Sequence, residues 1–167
     1  MIENAIHRVA RKVRAKHLRV QSPIPEADLG SFEQKNGLNL PEDYRAFLLQ
    51  VASGGQGPPD YGLCGFGELP SDFNQGVPDL SHPFPFTRPW IWEDGDESEE
   101  GTIDDVSCGV LILGTDGCAQ YWALVVRGPD QGKIWMLGDV GIAPLRPAMT
   151  FLEWYETWLD GKRDWWR

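Results

Sequence analysis

Side chains that commonly carry out catalysis are sparse in this chain. The histidines and cysteines are His7, His17, His82, Cys64, Cys108 and Cys118. Nucleophilic catalysis needs a Ser or Cys beside a His and a third group that orients the base. The chain has no G-x-S-x-G elbow, and His82 falls in the loop-like segment Ser81-His82-Pro83. We therefore interpret His82 as a loop histidine and predict no catalytic residue.

Metal and phosphate sites are not indicated either. The chain has no C-x-x-C or H-E-x-x-H pair and no Gly-rich loop ending in G-K-[ST]. An EF-hand register starting at Asp94 fails, because its sixth position is Glu99, where the loop requires Gly. We predict no metal and no cofactor. The odd number and wide spacing of the cysteines favour reduced thiols over a disulfide framework.

The strongest chemical feature is a block of negative charge. Residues 93–105, EDGDESEEGTIDD, hold eight acidic groups and no basic one, in a chain of net charge −10. Such a surface repels nucleic acid and anionic lipid and attracts basic polypeptides. With Trp90 and Trp92 beside it, the block offers charge for steering and aromatic area for anchoring. The alternative is a merely solubilising, disordered loop with both Trp in the core.

The predicted partner-binding residues combine this charge with the two aromatic side chains. They are Trp90, Trp92, Glu93, Asp94, Asp96, Glu97, Glu99, Glu100, Asp104 and Asp105.

The opening segment has the opposite charge and reads as a helix. Ile2, Ile6, Val9 and Val13 fall at helical spacing, with basic residues on the other face. We interpret these cations as a solvated helix face rather than a membrane or nucleic-acid element. Arginines and lysines interrupt its apolar residues, so no secretory signal is predicted, and no run approaches the roughly 20 apolar residues of a membrane span. A cytoplasmic location is expected.

Gly- and Pro-rich breakers separate the predicted helices from one another and from the strands that follow them. Two helices are predicted, from Pro25 to Gly37 and from Pro41 to Gly54-Gly55. A Gly- and Pro-rich stretch from residue 56 to 89, with one short strand near 62–69, then continues as loop into the acidic block; a loop of this length is usually functional or disordered. Strands at 110–113, 120–126 and 133–137 follow, with Asp116-Gly117 as the first hairpin turn.

A last helix begins at Thr150, where Thr150 and Glu153 match a capping box, and stops at Gly161. We therefore predict an α+β fold: a single domain over residues 1–167, with a largely antiparallel sheet flanked by N-terminal helices and a C-terminal helix. Residues 1–21 form its basic helical extension.

The order of these features resembles the SUKH superfamily, which includes fungal Smi/Knr-type cell-wall regulators and many bacterial immunity proteins. The N-terminal match is Leu29-x-x-Phe32-Glu33-x-x-x-Gly37-x-x-Leu40-Pro41-x-Asp43-Tyr44-x-x-Phe47-Leu48, then Gly54-Gly55. Later matches are Leu113-Gly114-Thr115-Asp116-Gly117, Tyr121, Gly132-Lys133-Ile134-Trp135 and Phe151-Leu152-Glu153-Trp154. The chain departs from the pattern at Ser53, where Asn is usual, and at Cys118-Ala119, where a further Gly is often found.

The resemblance implies a protein-binding domain without a catalytic centre. Its bacterial members look like antidotes that neutralise polymorphic toxins, many of them nucleases. The implied partner is therefore a cognate toxin. The net negative charge of the chain favours a basic partner, such as a nuclease, and disfavours direct binding of nucleic acid or membrane. Two alternatives stay open: a regulatory scaffold module resembling the fungal members, and an uncharacterised hydrolase.

Overall fold

Helices supply the N-terminal part and the closing element of the fold. The computed structural model describes residues 1–93, 95 and 97–162. Its α-helices are α1 (Ile2–Ala15), α2 (Glu26–Asn36), α3 (Glu42–Gln50) and α4 (Phe151–Leu159). Pro25 and Pro41 are the N-cap residues of α2 and α3, and Gly37 ends α2 in the left-handed conformation. The four predicted helices are thus confirmed, with both prolines one position before the helix.

An antiparallel sheet forms the centre of the domain. Its strands are β1 (Trp90–Ile91), β2 (Val110–Gly117), β3 (Gln120–Val125), β4 (Ile134–Leu137) and β5 (Gly141–Pro144). Their order across the sheet is β1-β5-β4-β3-β2, and every neighbouring pair is antiparallel. The predicted α+β class and antiparallel sheet are confirmed, although β1 and β5 were not predicted as strands.

Helices α1, α3 and α4 cover one face of this sheet. Successive residues of a strand point to opposite faces, so Trp122 and Leu124 of β3 face the helices. They join a cluster that contains Phe47 of α3 and Phe151 and Trp154 of α4, all fully buried. Burying such large aromatic side chains supplies much of the hydrophobic driving force for this half of the fold.

The other face of the sheet is covered by the long segment that precedes β2. Phe84, Phe86 and Val106 are buried against Trp135 and Tyr121, which point away from the helices. A short 3₁₀ helix, η1 (Ile103–Ser107), supplies Val106. This segment is irregular, as predicted, but it packs on the sheet and contributes to a second hydrophobic cluster rather than forming a free loop. The strand suggested near residues 62–69 is reduced to a single bridge between Gly55 and Leu63.

Helix α1 is integrated with the core on one side and charged on the other. Ile6, Val9 and Val13 are buried in the helix-side cluster, as their spacing predicts. Arg8 and Lys12 form ion pairs with α4. The predicted boundaries of the domain and of its basic extension stay a prediction.

The first hairpin turn lies two residues beyond its predicted place. Gly117 still pairs with Gln120, so the two-residue loop is Cys118-Ala119, not Asp116-Gly117. Both loop residues have positive φ, of 54° and 57°, which a two-residue turn that follows the sheet twist requires. Asp116 is used elsewhere, because its carboxylate accepts a hydrogen bond from Trp122 Nε1 at 2.6 Å.

Candidate partner-binding surface

A chain of aromatic rings connects the sheet interior with the predicted binding residues. Trp135 contacts Phe84 with ring centroids 4.9 Å apart, and Phe84 contacts Phe86 at 5.2 Å. Phe86 stacks on Trp90 at 5.5 Å, and Trp90 meets Trp92 edge-on at 5.2 Å. Since Trp135, Phe84 and Phe86 are fully buried while Trp90 and Trp92 are half-buried, the chain runs from core to surface. Both tryptophans are therefore held by the core and still partly exposed.

Trp92 is fixed in orientation as well as in position. Its indole Nε1–H donates to the backbone oxygen of Asp139 at 2.8 Å, and its backbone N–H donates to Val140 at 3.0 Å. Both acceptors lie in the turn between β4 and β5. A side chain held in one rotamer loses little entropy when a partner packs against it. Trp92 thus has the properties of a preorganised contact residue.

Three neighbouring grooves surround the two tryptophans. The first, of about 490 Å³, lies between β1 and residues 97–100. The second, of about 560 Å³, extends from Trp90 and Trp92 to Asp104. The third, of about 530 Å³, lies between Trp92, residues 74–76 and Asp139. Trp92, Ile103 and Asp104 line both the second and the third groove. Ile103 is 57 % exposed and adds apolar surface where the second and third grooves meet.

Two of the predicted acidic residues stabilise the local structure of the acidic block. Glu100 accepts hydrogen bonds from the Thr87 hydroxyl and from the Thr87 N–H at 2.9 Å, and it also faces Arg88. Burial raises the pKa of Glu100, but these hydrogen bonds and Arg88 outweigh it and leave the pKa below its ordinary value. Asp105 caps η1 by accepting from the Thr102 N–H at 2.8 Å. These two carboxylates are structural as well as charged.

The other described acidic residues of the block point to solvent. Glu93, Glu97, Glu99 and Asp104 are exposed. Glu99 is 92 % exposed and approaches Arg88 only at 3.9 Å. Asp94 and Asp96, which the sequence also assigned to the binding surface, lie outside the described residues. The exposed carboxylates are therefore free to attract a partner at little conformational cost.

The structure brings six of the predicted binding residues into the walls of the grooves. They are Trp90, Trp92, Glu97, Glu99, Glu100 and Asp104. Sequence reasoning missed Ile103, an isolated apolar residue in an acidic run, and Asp139, which arrives from the β4–β5 turn. The isolation of Ile103 was a usable signal, whereas nothing local marks Asp139.

His82 lies in a small polar cluster that does not have the geometry of a nucleophile and its base. Its Nδ1 is 2.7 Å from Asp79 Oδ2 and 3.1 Å from Ser81 Oγ. A catalytic triad uses one ring nitrogen for the nucleophile and the other for the carboxylate, whereas both contacts here fall on Nδ1. Hydrogen bonds from Ser81 and His82 lower the pKa of Asp79 to about 2. The cluster organises an exposed turn.

The remaining reactive groups show no convergent arrangement within the described ranges. No group of three or more His, Cys, Asp or Glu side chains is placed there to hold a metal ion. Cys64, Cys108 and Cys118 are free thiols, and burial raises the pKa of Cys64 and Cys108. A raised pKa disfavours the thiolate that would act as a nucleophile or ligand. None of the helices in this part of the chain has the length and apolar character to cross a bilayer.

The fold defines a small α+β domain in which an irregular, aromatic-rich segment covers the sheet face opposite the helices. The chain belongs to the SMI1 / KNR4 family (SUKH-1), whose family model matches residues 23–157. This match confirms the resemblance inferred from the sequence and includes the whole acidic block. None of the curated proteins and none of the solved structures compared with the chain matches it.

Proposed function

We propose that this chain is a non-enzymatic binding domain that neutralises a cognate bacterial toxin by holding it at the acidic and aromatic surface described above. The observation that carries the proposal is the combination of preorganised Trp92 with exposed carboxylates on a domain of this family. Acidic groups alone would only attract cations. The grooves beside the tryptophans add apolar area that a polypeptide can bury.

Electrostatics favours a basic partner, such as a nuclease. A nuclease active site holds phosphates with Lys and Arg, so its surface is positively charged. An inhibitor with exposed Glu93, Glu97, Glu99 and Asp104 approaches such a surface with long-range attraction, which raises the association rate. Occupying the active site or its rim would then exclude nucleic acid without any bond being made or broken.

Family membership also supports a second candidate, a regulatory scaffold that binds a cellular protein. The same surface serves this function, since it requires only a partner with basic character. The two candidates differ in what the chain protects against. A toxin encoded beside this chain should kill a host cell that lacks the chain, and a scaffold has no such companion.

The decisive experiment is co-expression with the toxin domain encoded by the neighbouring reading frame. We expect the chain to restore growth and to form a complex with the purified toxin domain. Failure of both would reject the immunity function. Capture of a host protein that depends on the same surface would then support the scaffold.

Neutralising the charge of the interface can be tested in the same complex. Replacing Glu93, Glu97 and Glu99 together with Gln should slow association about tenfold at low salt and flatten its salt dependence. The matched control neutralises three exposed carboxylates outside the acidic block, Glu3→Gln, Asp28→Asn and Glu42→Gln, which changes the net charge by three in the same direction. Equal slowing by both triple variants would contradict a role for the acidic surface.

A further inference from the structure

We propose that the two grooves flanking Trp92 form a receptor for a single Lys or Arg side chain of the partner polypeptide. This inference rests on the proposed protein-binding function and adds the chemistry of the contact at its centre. The receptor is defined by Trp92, Ile103 and Asp104, which line both grooves.

The walls of the receptor suit an aliphatic stem. Trp92 and exposed Ile103 contribute apolar surface to both grooves, and buried Val106 also lines the third groove. Lys and Arg carry three or four methylene groups that pack on such surfaces while the charged end stays hydrated. The fixed indole of Trp92 adds a π face for a cation.

The charges at the rim suit a cationic end group. Asp104 lines both grooves, Glu97 lines one and Asp139 lines the other. Among the described residues that line these two grooves, none carries a positive charge. An anionic or purely apolar side chain would desolvate these carboxylates without compensation, whereas Lys or Arg supplies both the apolar contact and the countercharge.

The first groove provides an internal contrast. It contains Arg88, which faces Glu100 at 3.5 Å and Glu99 at 3.9 Å and so neutralises part of its negative charge. Glu99 lines this groove but not the two that flank Trp92. Asp104 and Glu99 thus carry the same charge on the same segment, and only Asp104 belongs to the receptor.

The probe for the test is a hexa-arginine peptide, compared with a hexa-citrulline peptide of nearly the same shape and no charge. Binding is followed by NMR, through the indole N–H signal of Trp92 in the full chain, assigned with Trp92→Phe. We expect hexa-arginine to shift this signal and hexa-citrulline to leave it in place. We expect Asp104→Asn and Ile103→Ser each to weaken binding about fivefold. Glu99→Gln, which removes the same charge as Asp104→Asn, should change binding less than twofold.

Equal effects of Asp104→Asn and Glu99→Gln, or an equal shift with hexa-citrulline, would overturn the receptor and leave only delocalised attraction. Glu99, Ile103 and Asp104 are exposed, and an unchanged melting temperature verifies that the variants at these three positions fold. In the toxin complex, the same pair of variants separates the two proposals. Rescue of growth with equal affinities of the two variants would refute the receptor and retain the immunity function. Absence of any rescue would refute the immunity function, while the peptide result still decides the receptor.

Discussion

Asp43, in the first turn of α3, accepts a hydrogen bond from the backbone N–H of Leu152, in the first turn of α4, at 2.9 Å. The two residues are 109 positions apart, and the other Asp43 oxygen accepts from the Tyr44 N–H at 2.8 Å. Asp43 is only 9 % exposed. Its carboxylate satisfies an N-terminal amide of α4 and complements the dipole of that helix. This residue of the family motif therefore links α3, near the start of the chain, to the C-terminal helix α4.

We predict that Asp43→Ala lowers the free energy of unfolding by about 2 kcal/mol, because the Leu152 N–H is then buried without an acceptor. Asp43→Asn keeps one acceptor oxygen and should cost less. Urea denaturation measures both. The control is Glu42→Ala, an exposed carboxylate in the same helical turn, which should change stability by about 0.5 kcal/mol or less. Equal losses at positions 42 and 43 would contradict the proposed link.

The Gly54-Gly55 pair of the motif also has a structural explanation, which leads to a second prediction. Gly55 has a φ of +112°, and a Cβ there would lie 2.7 Å from the Arg19 oxygen and the Val20 Cα. Gly55→Ala should therefore destabilise the protein by more than about 1 kcal/mol. Gly30, inside α2, has open space around its Cβ position, so Gly30→Ala should stabilise by about 0.5–1 kcal/mol. Thermal unfolding distinguishes these opposite signs.

Elements with local signals could be predicted from the sequence. The start of α4 is an example, because Glu153 accepts from the Thr150 N–H at 2.8 Å, as the capping box requires. The apolar spacing of α1 and the continuous apolar run of β2 are similarly local. Each of these features depends on residues that are close together in the sequence, so a short sequence window is enough to predict it.

Elements defined by distant contacts could not be predicted. β1 is two residues long, and its identity as a strand depends on the pairing of Trp90 with Ile142. β5 includes Pro144 and has no alternating pattern. The candidate surface shows the same limit, because Asp139 reaches Trp92 only after β5 has paired with β1. The acidic and aromatic residues of the surface could be predicted from the sequence, but the grooves between them could not.

A third prediction separates the structural and the exposed carboxylates of the acidic block. Glu100→Ala removes the acceptor of the Thr87 hydroxyl and N–H, and should lower the free energy of unfolding by about 1–2 kcal/mol. Glu99→Ala removes a side chain that is 92 % exposed and should leave stability within about 0.5 kcal/mol. Urea denaturation of the two neighbouring variants is the measurement. If Glu99→Ala were the more destabilising, our division of the block would be wrong.

Helix α1 precedes the region matched by the family and is held to α4 by charge as well as by apolar contact. Arg8 Nη2 donates to Glu156 Oε2 at 2.7 Å, and Lys12 Nζ donates to Glu156 at 2.8 Å and to Asp160 at 2.6 Å. Hydrogen bonds from Arg8, opposed by burial and reinforced by Lys12, lower the pKa of Glu156 from 4.5 to about 2. The Glu156 side chain is only 17 % exposed, which limits screening by water.

This depressed pKa predicts a pH-dependent attachment of α1. Because the folded pKa of Glu156 is below its unfolded value, its contribution to stability is fully present above about pH 4.5 and is lost as the pH falls towards 2. Arg8 is 45 % exposed, so we expect Glu156→Gln to cost only about 1 kcal/mol at pH 7. The difference between wild type and Glu156→Gln should shrink steadily from pH 5 to pH 2 in urea titrations. As a control at pH 7, Glu3→Gln, at an exposed position of α1, should change stability by about 0.5 kcal/mol or less. A difference that stays constant over this range would mean that apolar contacts alone, through Ile6, Val9 and Val13, hold the helix in place.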